Sequence, residues 1–231
     1  MRKDLLAPSL MCADLLNLER DIRALERAGA DMLHIDIMDT TFTTSTMLPP
    51  ALLERLNRVT GLPLDVHIMS KTPELYLDQV LPYCKGGFIS VHAESTQLLP
   101  YVLSEVRKGG AGVSLALNAS TPLAYAEEVA PMLDMLLLLN VVAGVTGPRV
   151  DIDEAFAARI ARARGILDRA GRGEAPVEVD GNISVRNARV ARRNGANAYV
   201  LGTASVFRPD MGIEEACAAF RAGIDEQEAA G

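Results

Sequence analysis

The sequence predicts an α/β protein folded as a single-domain (β/α)8 TIM barrel that spans residues 1–231. Eight strand-like segments alternate with helix-like segments through short connections, and this alternation is typical of parallel strands that close into a barrel. Hydrophobic residues make up 49% of the 231 residues, which suffices for one large core, and no linker interrupts them. An open doubly wound sheet is the alternative, but no Gly-x-Gly-x-x-Gly motif follows the first strand.

The first half of the chain supplies four strand–helix units. Strands are predicted at residues 5–10, 33–39, 63–69 and 88–93. The first helix is predicted at residues 14–28, with Asp14 as its N-cap and Leu15, Leu18, Ile22 and Leu25 at helical spacing. Further helices are predicted at residues 49–61, where a Pro-Pro pair begins the helix, at 73–83, and at 97–108, where paired glycines end it.

The second half repeats the alternation four times. Strands are predicted at residues 112–117, 135–141, 176–180 and 198–202. A short helix is predicted after Pro122, and longer ones at residues 153–170, 184–194 and 213–222. We expect Gly223 to end the last helix, since glycine commonly terminates helices.

Charge and cysteine content indicate which partners and compartment to expect. The formal net charge of −7 argues against a nucleic-acid or anionic-membrane partner, and no apolar run approaches the ~20 residues that span a bilayer. The three cysteines, Cys12, Cys84 and Cys217, are odd in number and widely spaced, so we expect a reducing, cytoplasmic location. For Cys12 we expect a buried, neutral thiol rather than a reactive one.

Imidazole and carboxylate side chains lie near the ends of three predicted strands. His34 and Asp36 share one face of the second strand, His67 lies on the third, and Asp180 ends the seventh. Because the active site of such a barrel lies at the C-terminal ends of the strands, we expect these side chains to meet. They form a plausible ligand set for Zn²⁺, Fe²⁺, Mn²⁺ or Co²⁺. The alternative is that Asp36 and Asp180 are ordinary loop or cap carboxylates.

Two carboxylates at a metal site also suit proton transfer. A metal ion would polarise a carbonyl, one Asp would remove a proton from the adjacent carbon, and the other would return one on the opposite face. This chemistry is an epimerisation. Met38 and Met69 are either soft walls of that site or ordinary core residues. Asp65 lies two residues before His67, and we interpret it as a polar barrel residue or a support for the ligands, while the third histidine, His92, also lies at the barrel mouth.

Small residues after the last three strands indicate an anion site. The loops after strands seven and eight of such barrels commonly bind phosphate, and backbone N–H groups or a helix N-terminus supply the donors. We therefore expect a phosphorylated substrate to contact the following residues: Gly144, Val145, Thr146, Gly147, Gly181, Asn182, Gly202 and Thr203.

Several segments in order along the chain resemble the ribulose-phosphate 3-epimerase family. They are residues 7–10 (Ala-Pro-Ser-Leu), 34–39 (His-Ile-Asp-Ile-Met-Asp), 64–69 (Leu-Asp-Val-His-Ile-Met), 89–94 (Ile-Ser-Val-His-Ala-Glu), 117–118 (Leu-Asn), 178–181 (Glu-Val-Asp-Gly) and 202–204 (Gly-Thr-Ala). Residues 9–16 are similar to the allulose-6-phosphate 3-epimerase branch.

The resemblance implies an isomerase with one divalent metal ion per chain, with Zn²⁺ expected before Fe, Mn or Co. It implies metal ligation by His34, Asp36, His67 and Asp180, with Asp36 and Asp180 as the acid/base pair. It also implies a homo-oligomer and places the hydroxyl of Ser9 near the substrate. We further expect substrate contacts from Met38, His67 and Met69.

Two loops depart from the family pattern. Residues 40–45 read Thr-Thr-Phe-Thr-Thr-Ser where Gly-His-Phe-Val-Pro-Asn is usual, and residues 142–148 replace Asn-Pro-Gly-Phe-Gly-Gly-Gln. These changes leave the ketose phosphate open: ribulose 5-phosphate, allulose 6-phosphate or another. A phosphosugar lyase or decarboxylase and a non-catalytic sugar-phosphate sensor are the alternative functions. The lyase is disfavoured because residues 36–38 read Asp-Ile-Met and lack the Asp-x-Lys of such enzymes.

Overall fold

The computed structural model describes residues 2–144 and 150–225, and it has the predicted barrel. Within these residues eight parallel strands form one sheet in the order β1-β8-β7-β6-β5-β4-β3-β2. The strands are β1 (Leu5–Pro8), β2 (Leu33–Met38), β3 (Leu64–Met69), β4 (Phe88–His92), β5 (Gly112–Leu117), β6 (Met135–Leu139), β7 (Val177–Asp180) and β8 (Ala198–Leu201). A parallel bridge between Ser9 and His34 brings β1 against β2, so that the sheet nearly closes on itself.

Helices follow the strands around the outside of the barrel. They are α1 (Leu18–Arg27), α2 (Ala51–Val59), α3 (Leu77–Val80), α4 (Leu99–Lys108), α5 (Ala124–Val129), α6 (Glu154–Arg169), α7 (Val185–Arg193) and α8 (Ile213–Asp225). The outward-facing side chains of the strands, such as Leu33, Ile35 and Ile37, pack against buried helix residues, such as Ile22 and Leu25, to form the main core. The alternation of side chains along β2 therefore separates this core from the inside of the barrel.

The inside of the barrel is apolar at both ends and polar between them. Ala7, Met32, Met135 and Ala198 cluster near the N-terminal ends of the strands. A second cluster near the C-terminal ends contains Met38, Met69, Ala116, Leu137, Leu139, Ala143 and Val200. Fully buried polar side chains also point inward, namely His34, Asp65, His67, Ser90, His92, Ser114 and Glu178. Buried polar groups need partners, so these side chains form the networks described below.

The predicted N-cap of the first helix was wrong, because α1 begins at Leu18 rather than after Asp14. The Asp14 carboxylate accepts hydrogen bonds from Leu16 N–H and Asn17 Nδ2, and its own N–H donates to Asp21 Oδ2. Asp14 thus closes a turn ahead of the helix, because an aspartate side chain readily bonds the backbone two residues further on.

Gly223 does not end the last helix, and this prediction was also wrong: α8 continues to Asp225. An added Cβ at Gly223 would lie 2.7 Å from Cγ1 of Val185 on α7. Close packing of two helices therefore accounts for this glycine better than helix termination does.

The helix predicted at residues 73–83 is interrupted. Two short 3₁₀ turns, Pro73–Leu75 and Leu81–Tyr83, flank the four residues of α3. Pro82 has no N–H to donate to the preceding turn, so a continuous α-helix cannot pass through it. Among the described residues, no helix is both long and apolar enough to cross a membrane.

Candidate active site

Four predicted ligands meet at the C-terminal end of the barrel. His34 and Asp36 come from β2, His67 from β3 and Asp180 from the end of β7, and one potential ligand atom of each lies within 4.8 Å of the others. Asp36 and His67 are directly paired in the β2–β3 register. His34, Asp36 and His67 are buried, and Asp180 is partly exposed towards the mouth. The described residues therefore contain a possible His/Asp metal-binding site.

His34 is held through one ring nitrogen only. Its Nδ1 lies 2.5 Å from Oδ2 of Asp65, a fully buried carboxylate on β3. Its Nε2 lies 3.3 Å from Oδ1 of Asp36 and is a buried atom without a hydrogen-bond partner among the described residues. A buried nitrogen without a partner, directed at two carboxylates and a second imidazole, fits a divalent metal ion.

Both oxygens of Asp36 have a close polar neighbour. Ser9 Oγ donates to Oδ2 at 2.7 Å, and His67 Nδ1 lies 3.3 Å from Oδ1. Ser9 is positioned by the bridge to His34 and by its N–H, which donates to Leu201 O at 2.9 Å. The residue predicted to contact substrate therefore also orients one candidate acid/base group.

The two candidate acid/base carboxyl groups have opposite pKa shifts. Burial alone would raise the pKa of Asp36, but His34 and His67 outweigh burial and lower it below the ordinary value. Burial prevails at Asp180 and raises its pKa, and the neighbouring charge of Asp36 adds to this effect. Burial alone would lower the pKa of His34, but Asp36 and Asp65 raise it well above the ordinary value. Environments that separate the pKa values of two carboxyls are typical of acid/base pairs.

A second network lies beneath these residues and contains Glu178, which was not predicted as a site residue. His34, Asp65 and Glu178 bring potential ligand atoms within 4.8 Å of one another, and all three are buried. Burial, followed by the charge of Asp65, raises the pKa of Glu178 well above its ordinary value. Glu178 lies two residues before Asp180 on the same strand face, so strand alternation was the signal that could have identified it.

His92 and Glu94 extend the site away from His67. The Nε2 atoms of His67 and His92 are 2.9 Å apart, and His92 Nδ1 lies 3.0 Å from Oε2 of Glu94. Burial lowers the pKa of His92 to about 4, so its ring is neutral at pH 7. At Glu94, hydrogen bonds from His92 and Thr121 outweigh burial and lower the carboxyl pKa to about 2.

A cavity at the barrel mouth collects most of the predicted substrate-contacting residues. Its predicted lining residues are Ser9, Asp36, Met38, Met69, Gly144, Asp180, Gly181, Asn182, Gly202 and Thr203. The lining residues that were not predicted are Met11, Cys12, Leu139, Val141, Val142, Ala143, Ile183, Val200 and Ala204. His67 is fully buried and is not among the lining residues, so its position suits metal ligation better than substrate contact. Val145, Thr146 and Gly147 lie outside the described residues.

Cys12 is partly buried beside the expected anion-binding loops, where a Cβ added to Gly202 would lie 3.2 Å from its Sγ. Burial raises the pKa of the Cys12 thiol to about 11, so the predicted neutral thiol agrees with its surroundings.

The loops after β7 and β8 are turns rather than exposed helix N-termini. Gly181 and Asn182 have φ values of +104° and +53°, and the first turn of α7 is capped by Ser184, whose Oγ accepts from Asn187 N–H. After β8 the carbonyl of Gly202 accepts from Ser205, Val206 and Phe207, and α8 begins only at Ile213. An anion in this cavity would therefore meet turn backbone and small side chains instead of an uncapped helix.

The Thr-rich loop after β2 (residues 40–46) is ordered by hydrogen bonds to Asp39 and between its own residues. Asp39 accepts from Thr41 N–H at 2.8 Å and from Tyr76 Oη at 2.8 Å. The Phe42 ring packs on the His92 ring, with 4.6 Å between their centroids. Thr43 lies close to Gly144, because a Cβ added to Gly144 would be 2.5 Å from Thr43 Cγ2. The two loops that depart from the family pattern therefore touch each other across the mouth.

A sequence model of the Ribulose-phosphate 3 epimerase family matches residues 5–207. The chain belongs to this family. It is 33% identical over 206 residues to the ribulose-phosphate 3-epimerase of Bacillus subtilis, covering 88% of this chain and 93% of that protein. It is 35% identical over 209 residues to the Synechocystis ribulose-phosphate 3-epimerase, covering 88% of each chain. These relatives are named as epimerases, which are isomerases, so the predicted enzyme class is confirmed for the family.

A similar relationship extends to a plant enzyme. The chain is 35% identical over 205 residues to the chloroplastic ribulose-5-phosphate-3-epimerase of Arabidopsis thaliana, covering 87% of this chain and 70% of that one. Among solved structures, a mutant tryptophan synthase alpha-subunit from Pyrococcus furiosus superposes with a TM-score of 0.66 at 15% identity over 98% of each chain. That similarity concerns the fold alone and confirms the predicted barrel.

Proposed function

We propose that this protein is a metal-dependent epimerase that inverts C3 of a ketose phosphate by proton transfer between two carboxylates. The observation that carries the proposal is the convergence of His34, Asp36, His67 and Asp180 at one point beneath the mouth cavity. Membership of an epimerase family and the names of its relatives support the same reaction class.

Asp36 and Asp180 are the proposed acid/base pair. Both line the cavity and come from strands β2 and β7, so a substrate carbon held between them would present one face to each. In either direction of the reaction one carboxylate removes the C3 proton and the other delivers a proton to the opposite face. Ser9 holds Asp36 in place through its 2.7 Å hydrogen bond, and Met38 and Met69 supply adaptable apolar walls for a flat intermediate.

His34, Asp36, His67 and Asp180 are the proposed metal ligands. A bound divalent ion would polarise the ketose carbonyl and stabilise the negative charge that develops when the proton leaves C3. Nitrogen and oxygen donors suit Zn²⁺ first, and also Fe²⁺, Mn²⁺ or Co²⁺. The partner-free Nε2 of His34 supports a ligand role for that nitrogen.

Loss of metal on ligand removal tests this part of the proposal. Purified protein is expected to carry close to one transition-metal ion per chain, and the His34→Ala and His67→Ala variants should lose it. The metal affinity should fall by well over the 10–100-fold that is typical when a residue hydrogen-bonded to a ligand is replaced. Elemental analysis of the folded variants measures this directly. Activity that survives complete chelation would contradict the metal dependence.

The phosphate of the substrate is proposed to lie towards β7 and β8. Gly181, Asn182, Gly202 and Thr203 line that side of the cavity, and Gly144 approaches from the loop after β6. Small side chains there let an anion reach backbone N–H groups, which are its usual donors at this end of such barrels.

The identity of the ketose phosphate stays open between ribulose 5-phosphate and other ketose phosphates. The Thr-rich loop and the loop after β6 depart from the family pattern and touch each other through Thr43 and Gly144. Allulose 6-phosphate or another ketose phosphate is therefore proposed as an alternative to ribulose 5-phosphate. A cytoplasmic location and a homo-oligomer stay predictions.

Exchange of the C3 proton in D₂O is the direct test. The metal-loaded protein should incorporate deuterium at C3 of at least one pentulose, hexulose or tetrulose phosphate, and Asp36→Asn and Asp180→Asn should each abolish turnover. Absence of exchange with all three substrate classes would contradict an epimerase. Tight binding of a sugar phosphate without proton exchange would instead indicate a non-catalytic sugar-phosphate sensor.

A further inference from the structure

In both candidate metal-binding imidazoles, the ring nitrogen that faces away from the ligand cluster contacts another side chain. The two side chains differ in chemistry. His34 Nδ1 faces the carboxylate of Asp65, which accepts hydrogen bonds when ionised. His67 Nε2 faces the Nε2 of another imidazole, His92, at 2.9 Å. A neutral imidazole nitrogen either donates or accepts, so the contact between His67 and His92 does not by itself decide where the proton lies.

Glu94 decides the direction of this contact. Its Oε2 lies 3.0 Å from His92 Nδ1, and an ionised carboxylate only accepts. His92 must therefore carry its proton on Nδ1 and offer the lone pair of Nε2 to His67. His67 then carries its proton on Nε2, which leaves the lone pair of Nδ1 directed at Asp36 and the metal-ligand cluster.

The Glu94 carboxylate is held as an acceptor at its other oxygen as well. Oε1 accepts from Asn118 N–H at 3.0 Å and from the Thr121 hydroxyl. Arg159 Nη2 in turn donates to the carbonyls of Asn118 and Thr121, which fixes the turn that carries both donors. Glu94 thus has two oxygens that face only donors.

Because the His92 ring is buried, water cannot take the place of its hydrogen-bond partners. The His92 ring is fully buried and lies beneath Phe42 of the Thr-rich loop. If His92 carried its proton on Nε2, its Nδ1 lone pair would face the ionised Glu94 carboxylate with no proton between them, and no solvent reaches the ring to compensate.

We propose that Glu94 is a positioning residue that acts through His92 to keep the Nδ1 lone pair of His67 available to the metal ion. The inference rests on the proposed metal-dependent function and adds two residues to it. Ligating histidines commonly have their other nitrogen fixed in this way, and loss of the outer partner typically costs 10–100-fold in metal affinity.

Glu94→Gln tests the direction of the hydrogen bonds with almost no change in shape. A glutamine side chain offers one acceptor oxygen and one donor NH₂, so it cannot accept at both ends. If its oxygen stays with Asn118 and Thr121, the NH₂ faces His92 Nδ1 and reverses both imidazoles. His92→Phe provides a second variant that keeps a ring under Phe42 but removes the acceptor for His67.

The chain has three histidines, so ¹⁵N NMR of the Zn²⁺-loaded protein resolves every imidazole tautomer. In the wild type we expect His92 protonated on Nδ1 and His67 on Nε2. In Glu94→Gln we expect the His92 assignment to reverse, and the dissociation constant for Co²⁺, measured by visible absorption with a competing chelator, to rise 10–100-fold. His92→Phe should show the same loss of affinity. Glu74→Gln, which removes a carboxylate from the same surface depression, should stay within twofold.

The outcomes separate this inference from the proposed function. A wild type that binds neither Zn²⁺ nor Co²⁺ would contradict the metal site itself. Normal metal binding with His92 protonated on Nε2 in the wild type would overturn the role of Glu94 alone. Glu94→Gln and His92→Phe variants that both bind Co²⁺ within twofold of the wild type would overturn it as well.

Discussion

At the scale of single residues, buried carboxylates contact the candidate ligands from the side away from the cavity. Asp65 contributes nothing to the mouth cavity, yet its Oδ2 holds His34 Nδ1 at 2.5 Å and is fully buried. A carboxylate in this place fixes the tautomer of the ring and raises the basicity of the opposite nitrogen. Strand alternation placed Asp65 on the inward face, but its partner became visible only in the folded chain.

We expect Asp65→Asn to weaken metal binding by 10–100-fold, because an amide orients the His34 ring less strongly and does not increase its basicity. Competition with a chelator measures the affinity. Ser114→Ala is a matched control, since it removes another buried polar group from inside the barrel, one bonded to Ser90 rather than to an imidazole. Equal affinities for Asp65→Asn and the wild type would contradict the supporting role.

At the scale of elements, the turn after β7 requires glycine at position 181 for two physical reasons. Gly181 has a φ of +104°, which residues with a Cβ rarely adopt, and an added Cβ would lie 2.7 Å from Val141 Cγ2. The turn therefore combines left-handed backbone with a close approach to the segment that follows β6. Both constraints fix the start of the loop that follows Asp180.

We expect Gly181→Ala to lower the free energy of unfolding by about 1–3 kcal/mol, the cost of one residue forced into a sparsely populated conformation. Urea denaturation provides the measurement. Gly61→Ala is the control, because its added Cβ meets no heavy atom within 4 Å, and we expect a change within about 0.5 kcal/mol. If both substitutions have the same small effect, the turn is not constrained as described.

A different element contact joins β1, β2 and α8 at the opposite end of the barrel. Asp31 accepts from Leu6 N–H at 3.0 Å and pairs with Lys3 at 2.6 Å and with Arg221 on α8 at 2.8 Å. Burial alone would raise the pKa of Asp31, but these three donors outweigh it and lower the pKa below the ordinary value. Asp31 therefore stabilises the folded state in its ionised form.

Asp31→Asn should lower the free energy of unfolding at pH 7 by about 1.5–3 kcal/mol, the usual range for hydrogen bonds to a charged group. Because the folded-state pKa is depressed, this contribution is complete above the unfolded pKa near 4 and disappears as the pH falls through the folded value. Unfolding curves of wild type and variant should thus converge in acid. Asp78→Asn, at an exposed position, controls for the loss of charge. A difference that does not depend on pH would contradict the ion-pair explanation.

At the scale of the whole molecule, two loops far apart in sequence meet at the mouth of the barrel. The Thr-rich loop after β2 lies beside Asp36, and Thr43 contacts Gly144 in the loop after β6. Under the proposed function, small hydroxyl side chains in the Thr-rich loop would offer a polyol more hydrogen-bond partners or more room. Neutral drift of the loops is the alternative, since loops tolerate change more readily than cores.

If these loops tune selectivity, kcat/KM for ribulose 5-phosphate should fall at least 10-fold below that for another ketose phosphate, about 1.4 kcal/mol of transition-state binding. Ribulose 5-phosphate, allulose 6-phosphate and a tetrulose phosphate should be assayed side by side with metal-loaded protein. Should ribulose 5-phosphate prove the best of the three, the loop changes are neutral and the protein shares the substrate that its relatives' names give.

The sequence by itself determined the barrel and the candidate ligands. Alternation with a period of two is a local property of β2, β3 and β7, so it put His34, Asp36, His67 and Asp180 on one face before any contact was known. Eight such strands alternating with helices admit few topologies other than closure, which is why fold and ligand set could be inferred together.

Only the tertiary structure decided which side chains support the candidate ligands and which elements pack closely. The contacts of Asp65 with His34, of Glu94 with His92, and of Gly223 with Val185 join different elements of the barrel. Shear between strands and the packing of helices set these distances, and neither leaves a periodic signal in the sequence. Local periodicity therefore shows which side chains point inward, while hydrogen-bond direction and close packing depend on three-dimensional neighbours.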